Sequence, residues 1–429
     1  MRLRPTVRGV GLAIGGVVAV LAGVAVGAVD LVRIGTLPIL LVIGALAGVG
    51  LLDPGRGRHR LAVERGASPN PVHAGSTSLV GVVITAADAA GRARIAGLRF
   101  REQASAELSG GRALRAHVTR APGRVTITYP VLAARRGRWT LGPLVVTRVD
   151  PFGVAKATTN LGEGAQIAVW PTVTELQVTP GVLVGDPDRV VLGARTPSTD
   201  DASLRDYRFG DDLRRVHWAT SARRGELMVR SDERAGMQPV SVLLDLPTRP
   251  ASLEWSISLA ASMTLAMLDA GHPVRLLCGP SPAGGDAPRS SGATADRPLS
   301  QRHTHSRPGD MARADILDRT IDLTVAESPA TAEERLLTDA RVLAASDGVG
   351  EIVLAVLGPL SARTRTALAQ VADNAQGWAV VRSGEGTHAQ RGDAASTVVA
   401  LRRAGWRAIT AEPGEDIARS WMRLLGSGL

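Results

Sequence analysis

Between Val7 and Leu52 the chain is almost wholly apolar, interrupted beyond Arg8 at its start only by Asp30, Arg33, Thr36 and Pro38. Residues 10–29 supply 20 positions and residues 34–52 another 19. A helix of about 20 residues crosses the ~30 Å hydrocarbon layer of a bilayer, so each half is long enough to span. A cleaved signal peptide would carry a shorter apolar region, with no second span directly behind it. Arg2, Arg4 and Arg8 precede the pair and Arg56, Arg58, Arg60 and Arg65 follow it, against Arg33 alone in the short loop. The excess of arginine at the two outer ends predicts a multi-pass protein of the cell membrane, with its N-terminus and soluble domains cytoplasmic.

The 429 residues, 45% of them hydrophobic, leave room for two soluble domains beyond such an anchor. A net charge of +10 would fit nucleic acid, but the arginines are scattered rather than gathered on a stripe, and Lys156 is the only lysine. No specific nucleic acid is therefore expected. The single cysteine, Cys278, excludes an internal disulfide framework, and its apolar setting VRLLCG reads as a buried structural thiol.

Behind the hairpin (residues 1–55), residues 56–180 show short alternating runs such as SLVGVVIT, RVTITYPVL and QIAVWPTV, punctuated by Gly, Pro and Asn. These predict a β-sandwich domain. From 239 to 429, strand-like runs (239–246, 273–277, 351–357, 378–382 and 406–410) alternate with helix-like ones (253–270, 332–345, 361–372, 394–404 and 416–425), which predicts a mostly parallel sheet covered on both faces. Residues near 280–310, rich in Pro, Gly and Ser, read as a disordered insertion, and His303 and His305 within it as incidental solvated side chains.

Residues 181–238 carry the most distinctive stretch. Within residues 203–233, Tyr207, Phe209 and Trp218 stand in a chain with only seven Trp, two Tyr and three Phe. Asp211 and Asp212 follow Gly210, where a short acceptor can cap a helix. Leu213, Val216, His217 and Thr220 then follow at i, i+3, i+4 and i+7, and residues 226–230 read as a strand. Arg214, Arg215, Arg223 and Arg224 offer guanidinium forks suited to carboxylates or phosphates, as a recognition surface or an ion-pair network.

Arg205, Tyr207, Gly210, Asp211, Arg214, Trp218, Ser221, Ala222, Arg223, Leu227, Val229 and Arg230 stand at the spacing of a bacterial family signature. By it the chain resembles the family called domain of unknown function 58. The block RRGRWTLGPLVVTRVDPFGV, residues 135–154, is similar to that family's upstream Arg-Gly and Asp-Pro-Phe-Gly elements. The resemblance implies a von Willebrand factor A-like α/β domain at the C-terminus, and a MoxR-type AAA+ ATPase as partner. In metal-binding examples of that fold the first strand ends in Asp-x-Ser-x-Ser. Here Asp245 is followed by Pro247 and Arg249 at the two hydroxyl positions, which lack the oxygens a hard cation requires. Asp245 is left as a weak metal candidate, expected to be held by backbone donors or by Arg249.

No Walker A loop, HExxH, nucleophile elbow or paired-cysteine motif is present in the sequence. A hydrolase built on Asp211, His217 and Ser221 would have to rest on a common helical spacing alone. The reading is a membrane-anchored, non-enzymatic adaptor or assembly factor with no cofactor. Its signature residues, Arg205, Tyr207, Gly210, Asp211, Arg214, Arg215, Trp218, Ser221, Arg223 and Arg230, would meet a protein partner. The alternative is a binding module for an anionic ligand such as a lipid headgroup, a polyanion or a nucleotide.

Overall fold

The two apolar runs form helices α1 (Val7–Val26) and α2 (Val29–Leu51) in the computed structural model. It describes residues 1–51, 54, 60–109, 115–178, 204–206, 221, 228–230, 238–279, 303–305, 311–345, 350–383 and 388–427. The second helix starts earlier than the apolar count suggests. Asp30 sits in its first turn, where a carboxylate is favoured by the helix dipole, and Arg33 lies 3.5 Å from it. The chain divides into two compact units, Met1–Thr172 and Val173–Leu429.

Inside α1 the buried positions are Gly9, Gly16 and Gly23, and inside α2 Gly35, Val42 and Val49, each set spaced by seven. A seven-residue period keeps one side of a helix turned to its neighbours, which are α2 for Gly16 and Gly23, the Val154 backbone for Gly9, and Ala155 and Ala157 for Val49. A Cβ on Gly16 would come within 2.7 Å of the Gly35 carbonyl oxygen, and one on Gly35 within 2.8 Å of that of Gly16. Helices surrounded by lipid gain little from apolar burial against each other, so close backbone approach at small residues is how they associate.

In the first unit β1 (Arg2–Pro5), β2 (Leu61–Ser68), β3 (Val72–His73) and β4 (Thr77–Ala86) precede the short helix α3 (Ala89–Ala96). Then come β5 (Arg99–Arg101), β6 (His117–Ala121), β7 (Arg124–Leu132), β8 (Gly137–Leu141), β9 (Leu144–Val149), β10 (Ala155–Leu161) and β11 (Ala165–Trp170). The sheets run β1-β10-β9-β5, β2-β4-β7-β6 and β3-β11-β8. The burial of β7 alternates, with Val125, Ile127, Tyr129 and Val131 inside, as a period of two requires. These side chains share one core with Val80, Val82 and Ile84 of β4, Leu144 of β9, Leu161 of β10 and Ile167 of β11.

Among the described residues, the first elements of the second unit are an antiparallel pair, β12 (Leu204–Asp206) and β13 (Met228–Arg230). Strands β14 (Val240–Leu244), β15 (Val274–Leu277), β16 (Glu351–Leu357), β17 (Ala375–Arg382) and β18 (Arg407–Ala411) form a parallel sheet in the order β15-β14-β16-β17-β18. Its helices among the described residues are α4 (Pro250–Asp269), α5 (Met311–Ile321), α6 (Pro329–Ala344), α7 (Ala362–Ala372), α8 (His388–Arg403) and α9 (Ile417–Gly426). The near-continuous apolar runs of β14 and β16 are buried throughout, as parallel strands covered on both faces must be. Helix α4 is also long and apolar enough to cross a membrane by length and composition, but it is mostly buried. Its Ser256, Ser262 and Thr264 hydroxyls donate to carbonyls four residues back, which lets a core helix carry them.

Two expectations change here. Residues 303–305 are ordered against the sheet, with Thr304 exchanging backbone hydrogen bonds with Val274 of β15. His303 is therefore not a solvated bystander. Helix α5, directly after the Pro- and Gly-rich tract, is absent from the elements that the sequence pattern predicts, and residues 280–302 and 306–310 lie outside the described residues.

Candidate functional site: the carboxyl edge of the parallel sheet

Strand β14 has β15 on one side and β16 on the other, so the connections leaving β14 and β16 diverge and open a crevice at the strand carboxyl ends. The resulting cleft has a volume of about 450 Å³. Asp245, the residue after β14, lies on its floor, and Arg249, Ser252, Glu333, Thr364 and Arg382 are among the residues lining it.

The Asp245 Oδ2 accepts from Arg382 Nη2 at 2.7 Å and from the Gly358 amide at 2.8 Å. Arg382 Nη1 also donates to the Asp245 carbonyl at 2.5 Å and to Ser256 Oγ at 3.1 Å. The side chains are 11% and 7% exposed, so the ion pair is taken out of water. Burial pushes the Asp245 carboxyl upward, while Arg382 and the Gly358 amide pull toward the anion. Of the holders expected from the sequence, backbone donors or Arg249, a backbone donor is present in the Gly358 amide, whereas the Arg382 guanidinium is not among those expected. Among the described residues no cluster of His, Cys, Asp and Glu has the makings of a metal site.

Around the rim, Glu333 of α6 accepts hydrogen bonds from Ser361 Oγ and, at 3.1 Å, from Thr364 Oγ1. These hydroxyls hold the Glu333 carboxyl below its ordinary range. Ser361 also caps α7, accepting from the Thr364 amide. Farther along the edge, Asp339 accepts from the Gly279 amide at 2.8 Å, and burial raises its carboxyl to about 6. Neighbouring Cys278 is half-buried, and burial reinforced by the Asp339 charge pushes its thiol to about 12. Such a thiol is protonated and inert at neutral pH.

A second buried network lies near the amino ends of β14, β15 and β16. Arg275 Nη2 meets both Glu351 carboxylate oxygens, at 2.9 and 3.1 Å, and Ser241 Oγ bonds both residues. His303 Nε2 stands 3.3 Å from Glu351 Oε1. Burial acts to raise the Glu351 carboxyl, but His303, Ser241 and Arg275 together hold it below its ordinary range.

Of the signature residues, the structure pairs the strands that carry Arg205 and Arg230, with Arg205 opposite Val229 and Leu204 opposite Arg230. Ser221 is helical and buried. Tyr207, Gly210, Asp211, Arg214, Arg215, Trp218 and Arg223 lie outside the described residues, as does His217. The upstream Asp-Pro-Phe-Gly element is a tight turn. Asp150 Oδ2 accepts from the Phe152 amide and Oδ1 from the Ala155 amide, and Gly153 donates its N–H back to the Asp150 carbonyl.

Sequence reasoning finds Asp245 and misses Arg382, Glu333 and Asp339. A signal for Arg382 is present, since it ends the apolar run WAVVR as Asp245 ends SVLLD, two charges of opposite sign closing buried strands.

A family model described as "Protein of unknown function DUF58" matches residues 203–279. No curated protein sequence matches the chain. Among solved structures, a GspB Siglec domain is similar at 17% identity and a TM-score of 0.19, covering 29% of this chain and 66% of that domain. The PilB minor pilin from Streptococcus sanguinis is similar at 8% identity and a TM-score of 0.29, covering 86% of this chain and 77% of the pilin. A point mutant of the same pilin is similar at 9% identity and a TM-score of 0.29, covering 86% of this chain and 78% of the mutant. Scores this low carry no argument about fold or activity.

Proposed function

We propose that this chain, which belongs to the DUF58 family through its match over residues 203–279, is a membrane-anchored, non-enzymatic adaptor or assembly factor whose partner is a MoxR-type AAA+ ATPase. In this reading the two N-terminal helices are the anchor, the excess of arginine at their outer ends supports a cytoplasmic location for both soluble parts, and the parallel-sheet domain is of the von Willebrand factor A-like kind.

The observation that carries this reading is the Asp245–Arg382 pair. In the metal-binding examples of that fold, the acid ending the first strand is a cation ligand. Here a guanidinium built into the protein already occupies it. A neutralised floor beneath an open cleft suits recognition of a partner's side chains. The signature arginines Arg214 and Arg215 are the second part of the partner surface, because buried interface arginines contribute strongly to binding.

Affinity isolation from solubilised membranes, with and without ATP, tests this. The reading expects one AAA+ ATPase to be retained in a nucleotide-dependent manner. Retention of anionic lipid, polyanion or nucleotide instead, lost steeply with salt, would favour the binding-module alternative.

A further inference from the structure

The Asp150–Val154 turn, which the adaptor reading does not use, is tied directly to the start of the membrane hairpin. Thr6 Oγ1 donates to the Gly153 carbonyl at 2.6 Å, and the Thr6 amide donates to the Val154 carbonyl at 2.9 Å. A Cβ on Gly9 would overlap the Val154 carbonyl, so the first turn of α1 lies flat against this backbone. On the far side of the turn, Ala155 and Ala157 of β10 are packed under Val49, Ala45 and Leu46 of α2.

These contacts fix the height of the turn. It is held within about one helical turn, ~5.4 Å, of the point where the apolar stretch begins, and the headgroup layers bring a bilayer from ~30 Å to about 40–45 Å. Phe152 at its tip is 65% exposed. The Asp150 carboxylate is turned inward onto the Phe152 and Ala155 amides, so the tip presents an aromatic ring and no acid.

Basic side chains stand at the same level. Arg4 lies directly across from Lys156 in the β1–β10 register, so both project from the same face of the sheet. Ala155 and Ala157 face α2, which turns Lys156 to the opposite face, toward the surroundings of the hairpin. Arg4, Lys156 and, on the first turn of α1, Arg8 are all exposed.

We propose that the Asp150–Val154 turn is a bilayer-contact site. Phe152 seats in the headgroup layer, while Arg4, Arg8 and Lys156 bind the phosphates of anionic phospholipids. The ring is an apolar body suited to the interface, and each basic residue near an anionic surface adds attraction. The site orients the first unit on the bilayer by a third point besides the two helices. The inference rests on α1 and α2 spanning the membrane.

The test places a nitroxide on Phe152→Cys in the full-length protein, reconstituted into vesicles of phosphatidylcholine alone or mixed equally with phosphatidylglycerol. Wild-type protein treated in parallel corrects for Cys278, and Pro122→Cys on the exposed turn between β6 and β7 is the aqueous reference. The label at 152 is expected to be more accessible to oxygen than to a water-soluble nickel chelate, reversing the order found at 122. In the mixed vesicles, replacing Arg4, Arg8 and Lys156 by Gln is expected to shift the label toward the nickel chelate, with little shift in phosphatidylcholine alone. Equal accessibilities at 152 and 122 would overturn the bilayer contact. A label that is shielded but indifferent to phosphatidylglycerol and to the three substitutions would overturn the headgroup assignment. Wild-type protein that fails to float with the vesicles would remove the anchor itself and the proposal with it.

Discussion

The Arg382 guanidinium crosses the end of β16 to meet Asp245 beyond β14, at 2.7 Å, so the acid on the cleft floor has its counter-charge within the same domain. Separating two such groups strands a buried charge, which is far costlier than never having placed the pair. Arg382→Met should therefore destabilise the protein by about 3–5 kcal/mol. Arg382→Met combined with Asp245→Leu should recover most of that loss. Denaturant unfolding of the two variants beside wild type checks this, and an unchanged single variant would show that the pair is solvated.

With a guanidinium in place, added divalent ions should have nothing to bind at Asp245. A ligand specific for the native state raises stability by about 2.7 kcal/mol at a hundredfold excess over its dissociation constant. Melting should be almost unchanged between chelator and millimolar magnesium or calcium. A saturable rise in Tm, abolished by Asp245→Ala, would contradict this.

Much of the architecture is legible in the sequence because its signals are periodic. Hydropathy bounds the strand at 351–357 to the residue, and α4, α6 and α7 each start within about three residues of where it puts them. Asp245 is singled out by the resemblance, as the acid at the first ligand position of the A-like motif. Its partner is not, because a bond between residues 137 positions apart leaves no local pattern. His303 is misjudged for the related reason that composition describes a segment and says nothing of a single backbone bridge, such as Thr304 to Val274.

The helix seam makes a position-specific prediction. Gly16→Ala would put a methyl within 2.7 Å of the Gly35 carbonyl oxygen, whereas a Cβ at Gly11, on the same helix, meets nothing within 4 Å. Overpacking of this kind costs about 1–3 kcal/mol. Gly16→Ala should loosen the hairpin in a detergent-unfolding titration and Gly11→Ala should not, and equal behaviour would mean the seam lies elsewhere.

Asp339 predicts a pH dependence of definite sign. Its folded-state carboxyl titrates at about 6, above the ordinary 3.8, so between those values the native state binds more protons than the unfolded chain. Stability should then fall as pH rises from about 4 to about 6 and level off above, by at most about 3 kcal/mol. Asp339→Asn keeps an oxygen for the Gly279 amide and should flatten that segment of the stability profile. An identical slope in the variant would assign the titration to another group.

The central claim is that the signature region holds a partner rather than the fold, and the most direct measurement joins melting with partner capture on one set of purified proteins. For Arg214→Ala with Arg215→Ala in the full-length chain, the account predicts nearly unchanged melting, since exposed charges contribute roughly 0–1 kcal/mol to folding. It predicts at the same time a marked loss of AAA+ ATPase retention, as buried interface arginines can contribute several kcal/mol, on the order of 2 or more, to binding. A double variant that unfolds outright, or one that retains the ATPase at wild-type strength, would contradict it.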